Sequence, residues 1–154
     1  MSNKIEARLS ELGLTLPDAP APAANYVPHV RSGNLLFVSG QISQGPDGMI
    51  RGKLGAELDV AQGAAAARTC ALALLAQARA ACGGDLGRVV RVVKLLGFVN
   101  STPDFSEQPE VINGASDLLV EVMGEAGRHA RSAVSAGALP RGVAVEIEGI
   151  FEIE

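Results

Sequence analysis

The alternation of apolar and polar positions divides this chain into helical and extended stretches. Ile5, Leu9 and Leu12 recur at helical spacing, and a short amphipathic helix is predicted over Lys4 to Leu12. The Pro/Ala run from Leu16 to Ala24 predicts an extended lead-in. Asn25 to Val30 and Leu35 to Gln41 read as strands around a Ser32-Gly33-Asn34 turn, and Gly45-Pro46-Asp47-Gly48 turns into a short extended segment near Met49 to Gly52. From Asp59, suited to an N-cap, to Gly83-Gly84, suited to a C-terminal stop, runs a long helix with Ala67, Ala71, Leu74, Leu75, Ala78 and Cys82 on one face. Its alanine content predicts close packing on a sheet. Val89 to Val99 is a nearly continuous apolar run and reads as a central, mostly covered strand. Ser106 to Gly124 predicts a second helix, with Pro109 in its first turn and Val111, Ala115, Leu118, Leu119 and Val122 on one face. Arg131 to Ser135 and Val143 to Ile153 complete the set as strands.

The order is βββαβαββ after an N-terminal helix, which predicts an α+β fold with two helices backing one sheet. Residues 1–23 form the helix and lead-in, and residues 24–154 a single domain, with no internal repeat or dividing linker. At 154 residues the chain is long enough to own a core.

Composition narrows the function. The net charge is −4, from 13 Lys+Arg against 17 Asp+Glu, and aromatic content is 3%. Single-strand nucleic-acid binders combine a basic groove with stacking aromatics, and this chain has neither. The N-terminus lacks the apolar stretch of a signal peptide and no later segment is long enough to span a membrane, so the cytoplasm is the expected compartment. Cys70 and Cys82 lie outside any CxxC spacing in an apolar helical stretch and read as small buried hydrophobes. His29 and His129 form no cluster with metal-ligand spacing, and no metal site is expected.

The candidate chemistry lies in His129 to Glu148, HARSAVSAGALPRGVAVEIE. Arg131 opens one strand, Leu139-Pro140-Arg141-Gly142 suggests a turn, and Glu146 sits in the returning strand, so a hairpin would bring the two together. A guanidinium offers a fork of donors matched to a carboxylate, and a neighbouring Glu can polarise a water. The alternative is a cross-strand surface pair contributing under about 1 kcal/mol.

Arg-Ser-x-Val, Leu-Pro and Val-Glu-Ile-Glu resemble the C-terminal signature of the RidA (YjgF/YER057c/UK114) family. Tyr26-Val27, followed by Gly33-Asn34-Leu35-Leu36-Phe37-Val38-Ser39-Gly40-Gln41, resembles that family's N-terminal strand pair. Phe98-Val99-Asn100-Ser101 and the Asn113 helix fall between them in the expected order. The similarity covers about residues 24 to 153, and GRHARSAV and NGASDLL follow the wording of a longer branch of the family.

This resemblance implies a chorismate-mutase-like fold assembled as a homotrimer with clefts between subunits, whose second sheet face a trimer would bury. It also implies hydrolysis of reactive 2-imino or 2-enamino acids to 2-keto acids and ammonia, without metal or organic cofactor. Arg131 matches the residue that holds the substrate carboxylate, and Glu146 the residue that polarises the attacking water. Tyr26, Ser39, Gly40 and Asn113 match substrate-binding positions, Asn113 only with a one-residue insertion on the way to Arg131. Each also has an ordinary reading: subunit packing for Tyr26, a strand-end turn for Ser39, a bulge for Gly40 and a solvated helix position for Asn113. Ala133 stands where deaminases of the family carry a Cys, and His129 where that branch commonly has Pro. His129 is either a loop residue or a titrating neighbour of the site. Two further functions fit the same residues: a non-catalytic trimer that binds small carboxylates, and an endoribonuclease, which the acidic balance disfavours.

Overall fold

The computed structural model describes residues 3–19 and 24–154; residues 20–23 of the predicted lead-in lie outside the described residues. The elements are α1 (Lys4–Glu11), β1 (His29–Ser32), β2 (Leu35–Ile42), β3 (Gln44–Gly45), β4 (Gly48–Met49), α2 (Val60–Ala81), β5 (Val89–Asn100), α3 (Gln108–Met123), β6 (Ala130–Ala136) and β7 (Val145–Ile153).

Local chemistry explains where the helices start and stop. The Asp59 carboxylate accepts from the Gln62 backbone N–H at 2.8 Å, and the Gln62 side chain accepts from the Asp59 N–H at 2.9 Å, a reciprocal cap that starts α2. At the other end Gly83 and Gly84 adopt φ of +66° and +94°, a conformation glycine reaches without strain, and Gly84 N–H donates to Arg79 C=O at 2.8 Å. Helix α1 is capped by Asn3 and buries Ile5 and Leu9.

Five strands form one sheet in the order β1-β2-β7-β5-β6, antiparallel except for the parallel pair β5 and β6. Strand β7 shows the logic most plainly: Val145, Ile147, Gly149, Phe151 and Ile153 are buried, and the residues between them are not. The buried face lies under α2 and α3, which cross so closely that Gly114 abuts the backbone of Ala64. The predicted apolar faces of both helices are all in this core, and both cysteines are buried within it.

Three expectations need correction. The third predicted strand does not join the sheet, because Gln44–Gly45 and Gly48–Met49 close on each other as a two-stranded hairpin. β7, not Val89–Val99, is the central strand, and β5 is covered on one face only. Lastly, β6 and β7 do not form a hairpin, since β5 lies between them.

The uncovered face carries Val30, Leu35, Phe37 and Val134, all exposed, together with half-buried Leu96, Phe98 and Ile150. No element of the described chain lies over this apolar surface.

Candidate active site

The functional side chains form two groups at different ends of the sheet. Strand β6 places Arg131 and Ala133 on the helix-covered side, because Arg131 pairs with Leu95 and residues two apart share a face. Arg131 Nη1 donates to Ser116 Oγ at 3.0 Å and Nη2 to Pro109 C=O at 3.2 Å. Asn113 is exposed, four residues after Pro109 and three before Ser116, so it belongs to the helix face that the guanidinium spans. Of the five guanidinium donors these two bonds use two. Arg131 has no carboxylate in salt-bridge range among the described residues.

His129 precedes β6 and is half-buried. Its Nδ1 lies 2.6 Å from Gly127 C=O and its Nε2 2.9 Å from Ser116 Oγ. Burial lowers its pKa, the bond to Gly127 opposes that, and the Arg131 charge lowers it further. Ser116 is a site neighbour that the sequence reading missed; its signal is the spacing of three from Asn113 on one helix face.

The second group surrounds an irregularity in β2, whose pairing with β7 shifts register between Val38 and Gln41. Ser39 there donates from both its backbone N–H and its hydroxyl to Pro28 C=O, at 2.9 and 3.1 Å. Gly40 leaves a gap that the Glu146 carboxylate occupies, so a β-carbon at residue 40 would overlap Oε2 of that side chain. Burial, with the like charge of Glu148 second, raises the Glu146 pKa above the ordinary carboxylate range. Such a carboxylate is a stronger base than an exposed one.

A cleft of about 760 Å³ opens beside these residues. Tyr26, Ser39 and Gly40 line one wall, Leu16 and Pro17 of the lead-in another, and Thr69, Leu72 and Gln77 of α2 the floor. Gln77 is buried, and its Oε1 has no hydrogen-bond partner among the described residues. The α2 floor was not legible in the sequence, where Thr69 and Gln77 are polar interruptions in an alanine helix.

Within one chain, then, Tyr26, Ser39 and Gly40 share a cleft and Glu146 packs against Gly40, while Arg131, Asn113 and Ala133 lie together, but the two groups do not meet. Among the described residues no group of three His, Cys, Asp or Glu could hold a metal ion, and no helix is long and apolar enough to cross a membrane.

This fold, with two long helices on one face of a five-stranded sheet, is matched among known proteins. The family described as "YjgF/chorismate_mutase-like, putative endoribonuclease" matches residues 6–147. The chain belongs to the YjgF/RidA family. Protein TCP17 of Trypanosoma cruzi is 53% identical over 154 residues, covering 99% of this chain and 96% of its own. A crystal structure of a protein of unknown function from Agrobacterium tumefaciens, 52% identical, superposes with a TM-score of 0.91, covering 98% of this chain and 93% of that one. The YjgF gene product of E. coli is 32% identical with a TM-score of 0.60, over 88% and 93% of the two chains. The RidA-family fold is therefore the chorismate-mutase-like one, and the chain is nearer in shape to the Agrobacterium protein than to E. coli YjgF.

Proposed function

We propose that this protein hydrolyses 2-imino and 2-enamino acids to 2-keto acids and ammonia, in clefts where two subunits of a homotrimer meet. The observation that carries the reading is the Arg131 guanidinium. It is held at two corners by Ser116 and Pro109 and has no carboxylate in salt-bridge range among the described residues. A fixed, unneutralised guanidinium is a receptor for a carboxylate, which it grips in a planar fork.

Arg131 and Glu146 cannot serve one substrate within one chain, but the apolar open face, from Val30 and Phe37 to Val134, supports burial against further copies. Pairing the Arg131 edge of one subunit with the face of the next that carries Tyr26, Ser39, Gly40 and Glu146 would complete the site. The chemistry then follows. Arg131 orients the substrate carboxylate, which sets the adjacent C=N carbon toward a water that Glu146 polarises. Water oxygen bonds to that carbon as the C=N π pair moves to nitrogen, and Glu146 takes one water proton and returns it to nitrogen to give the carbinolamine. Glu146 then relays the hydroxyl proton to nitrogen as the C–N bond breaks, so that ammonia leaves and the ketone forms. An imine is already electrophilic, so the step calls for no metal or organic cofactor.

The test generates imino acids in situ with an amino-acid oxidase and follows imine loss and keto-acid formation with wild type and Arg131→Ala. Acceleration by wild type alone is expected. Equal rates with and without wild type, across small, aliphatic and aromatic imines, would overturn the deaminase reading in favour of a carboxylate binder.

A further inference from the structure

We propose that His129 is a positioning residue that sets the orientation of the Arg131 guanidinium through Ser116, making the substrate anchor sensitive to the protonation of a histidine that does not touch substrate. The proposal rests on the reading of Arg131 as the carboxylate anchor. Three contacts in series carry it. A carbonyl can only accept, so the 2.6 Å contact with Gly127 C=O puts the imidazole proton on Nδ1. Nε2 of the neutral ring is then an acceptor, and the Ser116 hydroxyl, 2.9 Å away, donates its proton there. With that proton committed, the Ser116 oxygen turns a lone pair to Arg131 Nη1 at 3.0 Å. Each link fixes the direction of the next, and a hydroxyl that would otherwise rotate becomes a fixed acceptor.

Protonation of His129 reverses the middle link. Nε2–H becomes a donor, the Ser116 proton loses its acceptor, and a second cation stands beside the guanidinium. Of the surrounding elements, α3 also carries Glu110, Asp117 and Glu121, β5 carries Arg91 and Lys94, and the turn before the ring carries Glu125 and Arg128. Glu121 pairs with Arg68 and Glu125 with Arg128, while Arg91 donates to Arg128 C=O. Arg131 is the charged group whose field acts on the imidazole, and it favours the neutral ring. Protonation of His129 therefore loosens the anchor and weakens substrate binding, an effect on the Arg131 group that is separate from the titration of Glu146.

The experiment uses the full chain with isotope-labelled histidine, read by nitrogen NMR beside imine-hydrolysis kinetics. Wild type is expected to show the Nδ1–H tautomer at His129 and a KM that rises on acidification. Ser116→Ala should raise KM about tenfold, the scale of one hydrogen bond to a charged group, with kcat within about twofold. His129→Gln, whose amide oxygen accepts from Ser116 but does not titrate, should restore KM at neutral pH and flatten its pH dependence. An Nε2–H tautomer in wild type, a wild-type KM in Ser116→Ala, or an undiminished acid rise in His129→Gln would overturn the relay. If wild type hydrolyses no imine, the deaminase reading fails on its own account, and calorimetric titration with a 2-keto acid then decides the relay. It stands if the dissociation constants follow the pattern expected for KM; a different pattern, or no binding, removes it.

Discussion

Arg131 and Glu146 stand on opposite faces of the sheet, with β5 between their strands. Arg131 pairs with Leu95 and Glu146 with Phe98, three positions apart on β5, and an odd separation along a strand reverses the face. Two strand spacings and three residues put their backbones roughly 14 Å apart. In the proposed site the two come together only across a subunit interface, with a second copy supplying the missing half.

Complementation follows from this separation. Arg131→Ala and Glu146→Gln should each be inactive, and refolding an equal mixture should return about one quarter of wild-type activity, because a quarter of the randomly formed interfaces combine an intact Arg131 with an intact Glu146. No recovery in a mixture that sedimentation shows to be mixed would place both residues in one subunit.

The apolar open face makes assembly sensitive to charge. Phe37 is 42% exposed on that face, and if the face is the proposed trimer interface, wild type should sediment as trimer and Phe37→Asp as monomer, because a carboxylate cannot be buried there unpaired. A trimer retained at micromolar concentration would mean that the copies meet elsewhere.

Gly40→Ala separates function from stability. The new methyl takes the space of the Glu146 carboxylate, which can swing away because it is the end of a flexible side chain. At least about tenfold loss of kcat is expected, with Tm within about 2 °C of wild type. Unchanged kcat would mean that the position of the Glu146 carboxylate does not matter.

The acid limb of kcat should report Glu146. Burial, then Glu148, raises its pKa, so the base form is lost on acidification at a higher pH than for an exposed glutamate. Glu148→Gln removes a like charge, which eases ionisation and should move the limb of kcat to lower pH. A limb that does not move would assign it to another group. The His129 effect belongs to KM, which keeps the two titrations apart.

Gly114→Ala tests the helix crossing. A β-carbon there would lie 2.7 Å from the carbonyl carbon and 2.9 Å from the Cα of Ala64, both backbone atoms that cannot turn aside. A loss of about 2 kcal/mol is expected, lowering Tm by roughly 4 to 8 °C in a thermal melt. A wild-type melt would show that α2 and α3 can separate at no cost.

Much of this architecture is written locally. The capping pair Asp59 and Gln62, the glycines after Ala81 and the helical spacing of Leu74, Leu75 and Ala78 act between near neighbours, so α2 is legible without its surroundings. The same is true of α3 and the apolar alternation of β7. The third strand was misjudged because Gly45 to Gly48 closes a hairpin too short to reach the sheet, and only the path of the chain afterwards settles that.

For the proposed site, local patterns in the sequence point to the candidate side chains: Arg131, Glu146, Ser39 and Gly40 stand in recognisable motifs. Tertiary structure decided which of them meet. Leu139 to Gly142 can read as the turn of a hairpin, yet β6 joins β5 in parallel and leaves β7 in the middle of the sheet, because the α3 connection lets β6 cover the outer edge of β5. Strand adjacency is a long-range choice made by burial of the helix-facing side chains, and turn residues do not encode it. Ser116 became visible as the link between His129 and Arg131 for the same reason: the contact between α3 and β6 exists only once the sheet has been assembled.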